Sequence, residues 1–142
     1  MHSERISTDL QMLFSPFFPS IDLGRVRIYT HLPFYIHWFA AIKPVAITIG
    51  KRIYFKHKGK GGYDPHSVDG IELIAHELVH VEQYARYRNK AQFGLSYFKE
   101  YRRGRRNGSS TIEAYQDIRF EKEAVEKARR IIMYLRSEKI RL

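Results

Sequence analysis

The stretch IAHELVHVEQYA, Ile74 to Ala85, constrains this chain most. It places two histidines four residues apart with a glutamate after the first. On an α-helix, positions four apart are offset by about 40° and rise by about 6 Å. Two imidazoles so placed, His76 and His80, can reach one ion. Ile71, Ile74, Ala75, Leu78 and Val81 recur at helical spacing and form an apolar stripe. The pattern predicts a helix from Pro65–Asp69 to about Tyr87. One side packs on a core and the other presents imidazoles. Glu82 falls at the edge of the stripe without an assigned role.

The alternative is a helix that merely carries two surface histidines. Three features weigh against it. The pair lies inside a strong helical pattern. Leu78 and Val79 between the histidines are apolar, so much of the helix circumference is buried. A strand is expected just upstream, over Ile53 to Phe55, where an extended peptide could pair.

The neighbouring segments suggest an α+β chain. In VAITIGKRIYF, Val45 to Phe55, Val45, Ile47 and Ile49 alternate with Ala46 and Thr48, the period of a strand. Gly50-Lys51 can turn the chain, and Ile53 to Phe55 can return. A short strand is expected within Ile21 to Tyr29. The first 44 residues otherwise read as an irregular segment. A short helix is expected over Gln92 to Arg102. STIE, Ser110 to Glu113, fits a capping box. A helix follows it, with a break near Asp117 and an inward stripe of Ala124, Ala128, Ile131, Ile132 and Leu135.

Composition narrows the chemistry. The 142 residues suit a single domain with its own core. No cysteine is present, so a metal must be held by His, Asp or Glu. A zinc site with an open position needs a third protein ligand. No histidine follows His80, so a downstream ligand must be an acid. Glu121 falls on the inward stripe and is the first choice. Glu123 projects nearly opposite, with Lys127 and Arg130, and is the reserve. Glu113 is consumed by the capping box. Asp117 is a candidate to orient a ligating histidine. Glu77 sits where it can take a proton from water activated by zinc, whose bound water has a pKa of about 7.

The net charge is +10. Part of it is concentrated in KEYRRGRRNG, Lys99 to Gly108. This reads as a solvated loop, or as a patch (Arg102, Arg103, Arg105, Arg106) for nucleic acid or another anionic surface. His57 and His66 sit in a Gly- and Lys-rich loop and read as solvated. His31 and His37 lie among aromatics and read as core or surface histidines rather than metal ligands. Met1 to Leu10 lacks an apolar core of signal-peptide length. Leu32 to Ile42 is too short and too broken to span a bilayer. The expectation is a cytoplasmic protein, with non-classical export left open.

HELVHVEQ with a downstream FEKEA resembles the gluzincin branch of the zincin metallopeptidases. It is most similar to very small bacterial minigluzincin-like domains, with AITIGKRIYF resembling their upper-rim strand. The resemblance spans roughly Ala46 to Ala128; the first forty or so residues fall outside it. It implies a zincin-like α+β fold: a small mixed or antiparallel sheet, an active-site helix and a C-terminal glutamate helix. It further implies zinc ligands His76, His80 and Glu121, Glu77 as general base, and zinc metalloendopeptidase activity on a peptide or protein. Arg119 stands where such domains often have proline. The family also uses a tyrosine or histidine to steady the oxyanion, for which Tyr97, Tyr101, Tyr115 and His66 are candidates. Some small members block their cleft with a segment of their own chain, a role open to residues 1–44. A non-catalytic or latent zincin-like module and a basic nucleic-acid-associated protein are the competing readings.

Overall fold

The hairpin expected before the histidine helix forms as strands β3 (Ala46–Ile49) and β4 (Arg52–Phe55), paired antiparallel from Ala46–Phe55 to Ile49–Arg52. Gly50 turns the chain with φ of +64°, a conformation glycine adopts without a Cβ penalty. This computed structural model describes residues 3–33, 45–87 and 90–138, except the side chains of Lys90 and Ile112. His37 and the aromatic run around it lie outside those residues.

In β3 the buried face carries Ala46 and Thr48, while Ile47 and Ile49 are only half-buried and Val45 is exposed. The inner face packs on helix α2 (Val68–Arg86), and small side chains let the helix come close to the strand. Strand β2 (Arg27–Tyr29) joins β4 in parallel, and β1 (Glu4–Arg5) joins β2 antiparallel. The described sheet is therefore mixed, in the order β1-β2-β4-β3. Ile53 to Phe55 cannot pair with a peptide as anticipated, because both edges of β4 are occupied. The edge strand beside α2 is β3.

The N-terminal third is more regular than its prolines suggest. After β1, Ser7 caps α1 (Thr8–Phe14) by accepting from the Leu10 N–H. Pro16 is accommodated in the first turn of a 3₁₀ segment, Ser15–Phe17, where a missing N–H costs little. A second 3₁₀ turn, Leu23–Arg25, is capped by Asp22, so the strand expected over Ile21 to Tyr29 shortens to β2. Ile6, Leu10, Phe14, Phe18, Leu23, Val26 and Ile28 are buried in the main core. There they join Ile71, Ile74, Leu78 and Val81 of α2. The described part of the segment thus contributes core on the apolar side of α2.

Helix α3 (Lys90–Arg106) is longer than expected and absorbs most of the basic run. The loop anticipated over Lys99 to Gly108 reduces to a turn at Asn107-Gly108. Gly104, read as a loop residue, lies within α3 against α4 (Thr111–Gln116). A Cβ built at Gly104 would stand 3.1 Å from the Ala114 Cβ, so glycine permits the close crossing. Ser110 and Glu113 form the anticipated capping box. The chain breaks at Asp117 and restarts as α5 (Arg119–Ser137), which packs along α2.

Candidate metal centre

Two helices bring the site together. Ser67 caps α2 by accepting from the Gly70 N–H, and the apolar stripe seats that helix in the core. The opposite side is also buried, although it is polar: Glu77 is 4% exposed, His80 6% and Gln83 0%. Glu121, 5% exposed, enters from the first turn of α5, one turn before Ala124 docks in the core.

The Glu121 carboxylate spans both imidazoles. Oε2 lies 3.0 Å from His76 Nε2, and Oε1 lies 3.1 Å from His80 Nε2. The three ligand atoms fall within 4.8 Å of one another, and the group could hold a metal ion. Bonds of about 2.0–2.1 Å to a tetrahedral zinc place ligand atoms roughly 3.3 Å apart. The two carboxylate–imidazole spacings are close to that, and the donor set of two imidazoles and a carboxylate suits such an ion. Burial opposes the charge on Glu121, but the hydrogen bonds and charges of His76 and His80 outweigh it. Its carboxyl is held well below the usual range. Burial also opposes charge on His80, yet Glu121, Glu77 and Gln83 together raise it to about 9.

Glu77 lies on the same buried face. The Thr48 hydroxyl of β3 donates to Glu77 Oε2 at 2.7 Å, with the Glu77 carbonyl oxygen 3.3 Å away. Sequence reading treated Thr48 only as an alternating strand position. The signal was there: it is the polar residue in the strand nearest the motif. From α3, the Tyr97 hydroxyl donates to Glu121 Oε1 at 3.0 Å. Tyr115 of α4 stacks edge-on to Tyr97 and feels the charges of Glu121 and Glu77. Burial, with these neighbours, pushes both hydroxyls up, so both remain proton donors. Of the four oxyanion candidates, Tyr97 and Tyr115 reach the site's carboxylates. Tyr101 packs in the adjoining aromatic cluster, and His66 is exposed in the loop beside Asp64.

Other candidates fall elsewhere. Asp117 is exposed, 3.9 Å from Lys122, and does not orient a histidine. That place belongs to Gln83, whose Oε1 is 2.7 Å from His80 Nδ1. A residue one helical turn along α2 reaches the ring directly, whereas Asp117 precedes α5 and turns to solvent. Glu123 is no ligand and is not simply solvated. It accepts from Gln83 Nε2 at 3.1 Å and from Arg86. Lys127 is half-buried over the Phe18 ring and donates to both Glu82 oxygens, at 2.9 and 3.0 Å, which gives Glu82 its role. Arg119 pairs with Glu100 at 3.1 Å and lies over the Phe120 ring, so the start of α5 forms without proline.

No described helix is long and apolar enough to cross a membrane. A family model described as the eCIS core domain matches residues 5–88. The match takes in the N-terminal third, Thr48, His76, Glu77, His80 and Gln83, and ends before Tyr97, Tyr115 and Glu121. No curated protein and no solved structure matches the chain.

Proposed function

The chain belongs to the eCIS core domain family, and from the geometry of its site we propose that it is a minimal zinc metallopeptidase of gluzincin type. The eCIS name denotes an extracellular contractile injection system, so this reading places the peptidase in a protein assembly. The observation that carries it is the convergence of His76, His80 and Glu121 within 4.8 Å, with Glu77 buried on the same face. Two imidazoles and a carboxylate leave a fourth position open, the pattern of a catalytic rather than a structural zinc site. Zinc there supplies Lewis acidity toward water and a peptide carbonyl.

The chain's own groups do the rest. Glu77 takes a proton from the attacking water and delivers it to the leaving amine. Thr48 fixes Oε2 of that carboxylate, so proton transfer is assigned to Oε1. Tyr115, held neutral near Glu121 and Glu77, donates to the developing oxyanion. Tyr97 restrains the Glu121 carboxylate. Among the described residues the outer edge of β3 carries no further strand, and it offers main-chain groups to an extended peptide.

Zinc content of the purified protein tests the reading, with Glu121→Ala and Glu123→Ala alongside. Wild type and Glu123→Ala should hold a single zinc per chain, and Glu121→Ala should lose it. Glu77→Gln should keep zinc and lose peptide hydrolysis. Absence of zinc after reconstitution, or full hydrolysis by Glu77→Gln, would overturn the proposal.

A second reading rests on the outer face of α3. Ala91, Leu95, Phe98, Arg102, Arg105 and Arg106 share that face; Leu95 is 54% and Phe98 48% exposed. The Arg102 guanidinium lies over the Phe98 ring. Glu100 points inward to Arg119, and among the described residues no carboxylate pairs with the arginines there. Such a face suits a polyanion such as DNA. Retention on DNA that falls steeply with added salt would support it, and no retention at low salt would remove it.

A further inference from the structure

We infer that Gln83 is the positioning residue of the metal centre: it sets which nitrogen of His80 faces the ion and ties both ligand-bearing helices together. The inference rests on the metal-site reading above and adds what holds that site in shape. Gln83 is fully buried, one turn beyond His80 on α2. Its amide nitrogen lies 2.9 Å from the Phe120 carbonyl oxygen and 3.1 Å from Glu123 Oε1. Both neighbours only accept, so the amide can point only one way. Oε1 must then face His80 Nδ1, at 2.7 Å. An amide oxygen has only lone pairs to offer, so Nδ1 must carry a hydrogen. Nε2 is left as the coordinating atom, and it is the nitrogen that faces Glu121.

The same amide reaches across to α5. Phe120 immediately precedes Glu121, so one side chain fixes the ring of one ligand and the backbone next to another. Glu123 completes the arrangement, anchored in turn by Arg86 of α2. A methionine at 83 would fill similar volume, but it would free the His80 ring and leave the Phe120 carbonyl without this donor.

Two measurements test this on the full chain loaded with zinc. Two-bond ¹H–¹⁵N correlation spectra of the wild type should show His80 protonated at Nδ1 and coordinated through Nε2. Competition with a chromophoric chelator should show Gln83→Met binding zinc about 10- to 100-fold more weakly, the usual effect of losing an outer partner of a ligand.

Coordination of His80 through Nδ1 would sink the inference. So would wild-type affinity in Gln83→Met. Each of these leaves the metal site itself standing. A wild type that takes up no zinc would instead remove the metal reading, and this inference with it. Should Gln83→Met fail to fold, the wild-type spectrum still decides.

Discussion

The molecule has two apolar clusters that do different work. The larger is mostly aliphatic and joins the N-terminal segment, the sheet, α2 and α5. The smaller is aromatic, built on Phe93, Ile118 and Phe120 with tyrosines around them. The large cluster seats the scaffold on which His76, Glu77 and His80 stand. The small one lies where α3, α4 and the start of α5 meet, and from it the Tyr97 hydroxyl reaches Glu121. Hydrophobic burial is non-directional and can only place helices. Fixing a carboxylate to within a fraction of an ångström takes donors with direction, and tyrosine combines a packing ring with such a donor.

If this division holds, damage to the two clusters should separate stability from metal affinity. Leu78→Ala, in the middle of the large cluster, should cost about 2–5 kcal/mol in urea unfolding of the metal-free protein. Thr48→Val removes the hydroxyl that bonds a buried carboxylate. It should cost about 1.5–3 kcal/mol, and peptide hydrolysis should fall while zinc stays bound. Tyr97→Phe should weaken zinc about tenfold, as loss of a partner to a ligand does, with little change in metal-free unfolding. A large stability loss there would merge the two roles. Arg105→Ser, on the exposed face of α3, should move stability by no more than about 0.5 kcal/mol and leave zinc affinity unchanged.

Much of the large cluster could be read directly. The Ile71–Ile74–Leu78–Val81 stripe, the hairpin, the capping box and the inward stripe of α5 all have periods or caps that local sequence carries. Glu121 was legible because it shares the stripe of Ala124 and Ala128. The small cluster was not, because it depends on where helices cross. Neither the spacing of Tyr97, Tyr101 and Tyr115 nor their type says which one meets a carboxylate. Gly104 and the arginines around it read as a loop because glycine and charge usually mark one; the Ala114 contact that makes glycine useful lies ten residues on. Pro16 and Pro19 likewise hid the Leu10–Phe14–Phe18 spacing, which carries the N-terminal segment into the core. Asp117 falls on the inward side of the predicted helix, yet Gln83 is nearer in the only sense that counts for His80, one turn along the same helix.

The crossing at Gly104 also acts at a distance. Ala114, which it touches, immediately precedes Tyr115. A single methyl added at 104 would wedge α3 from α4 and carry the Tyr115 ring with it. Position 104 is therefore a tuning screw for the Tyr115 side of the candidate metal centre: it touches none of the candidate ligands, and its setting is the gap between two helices.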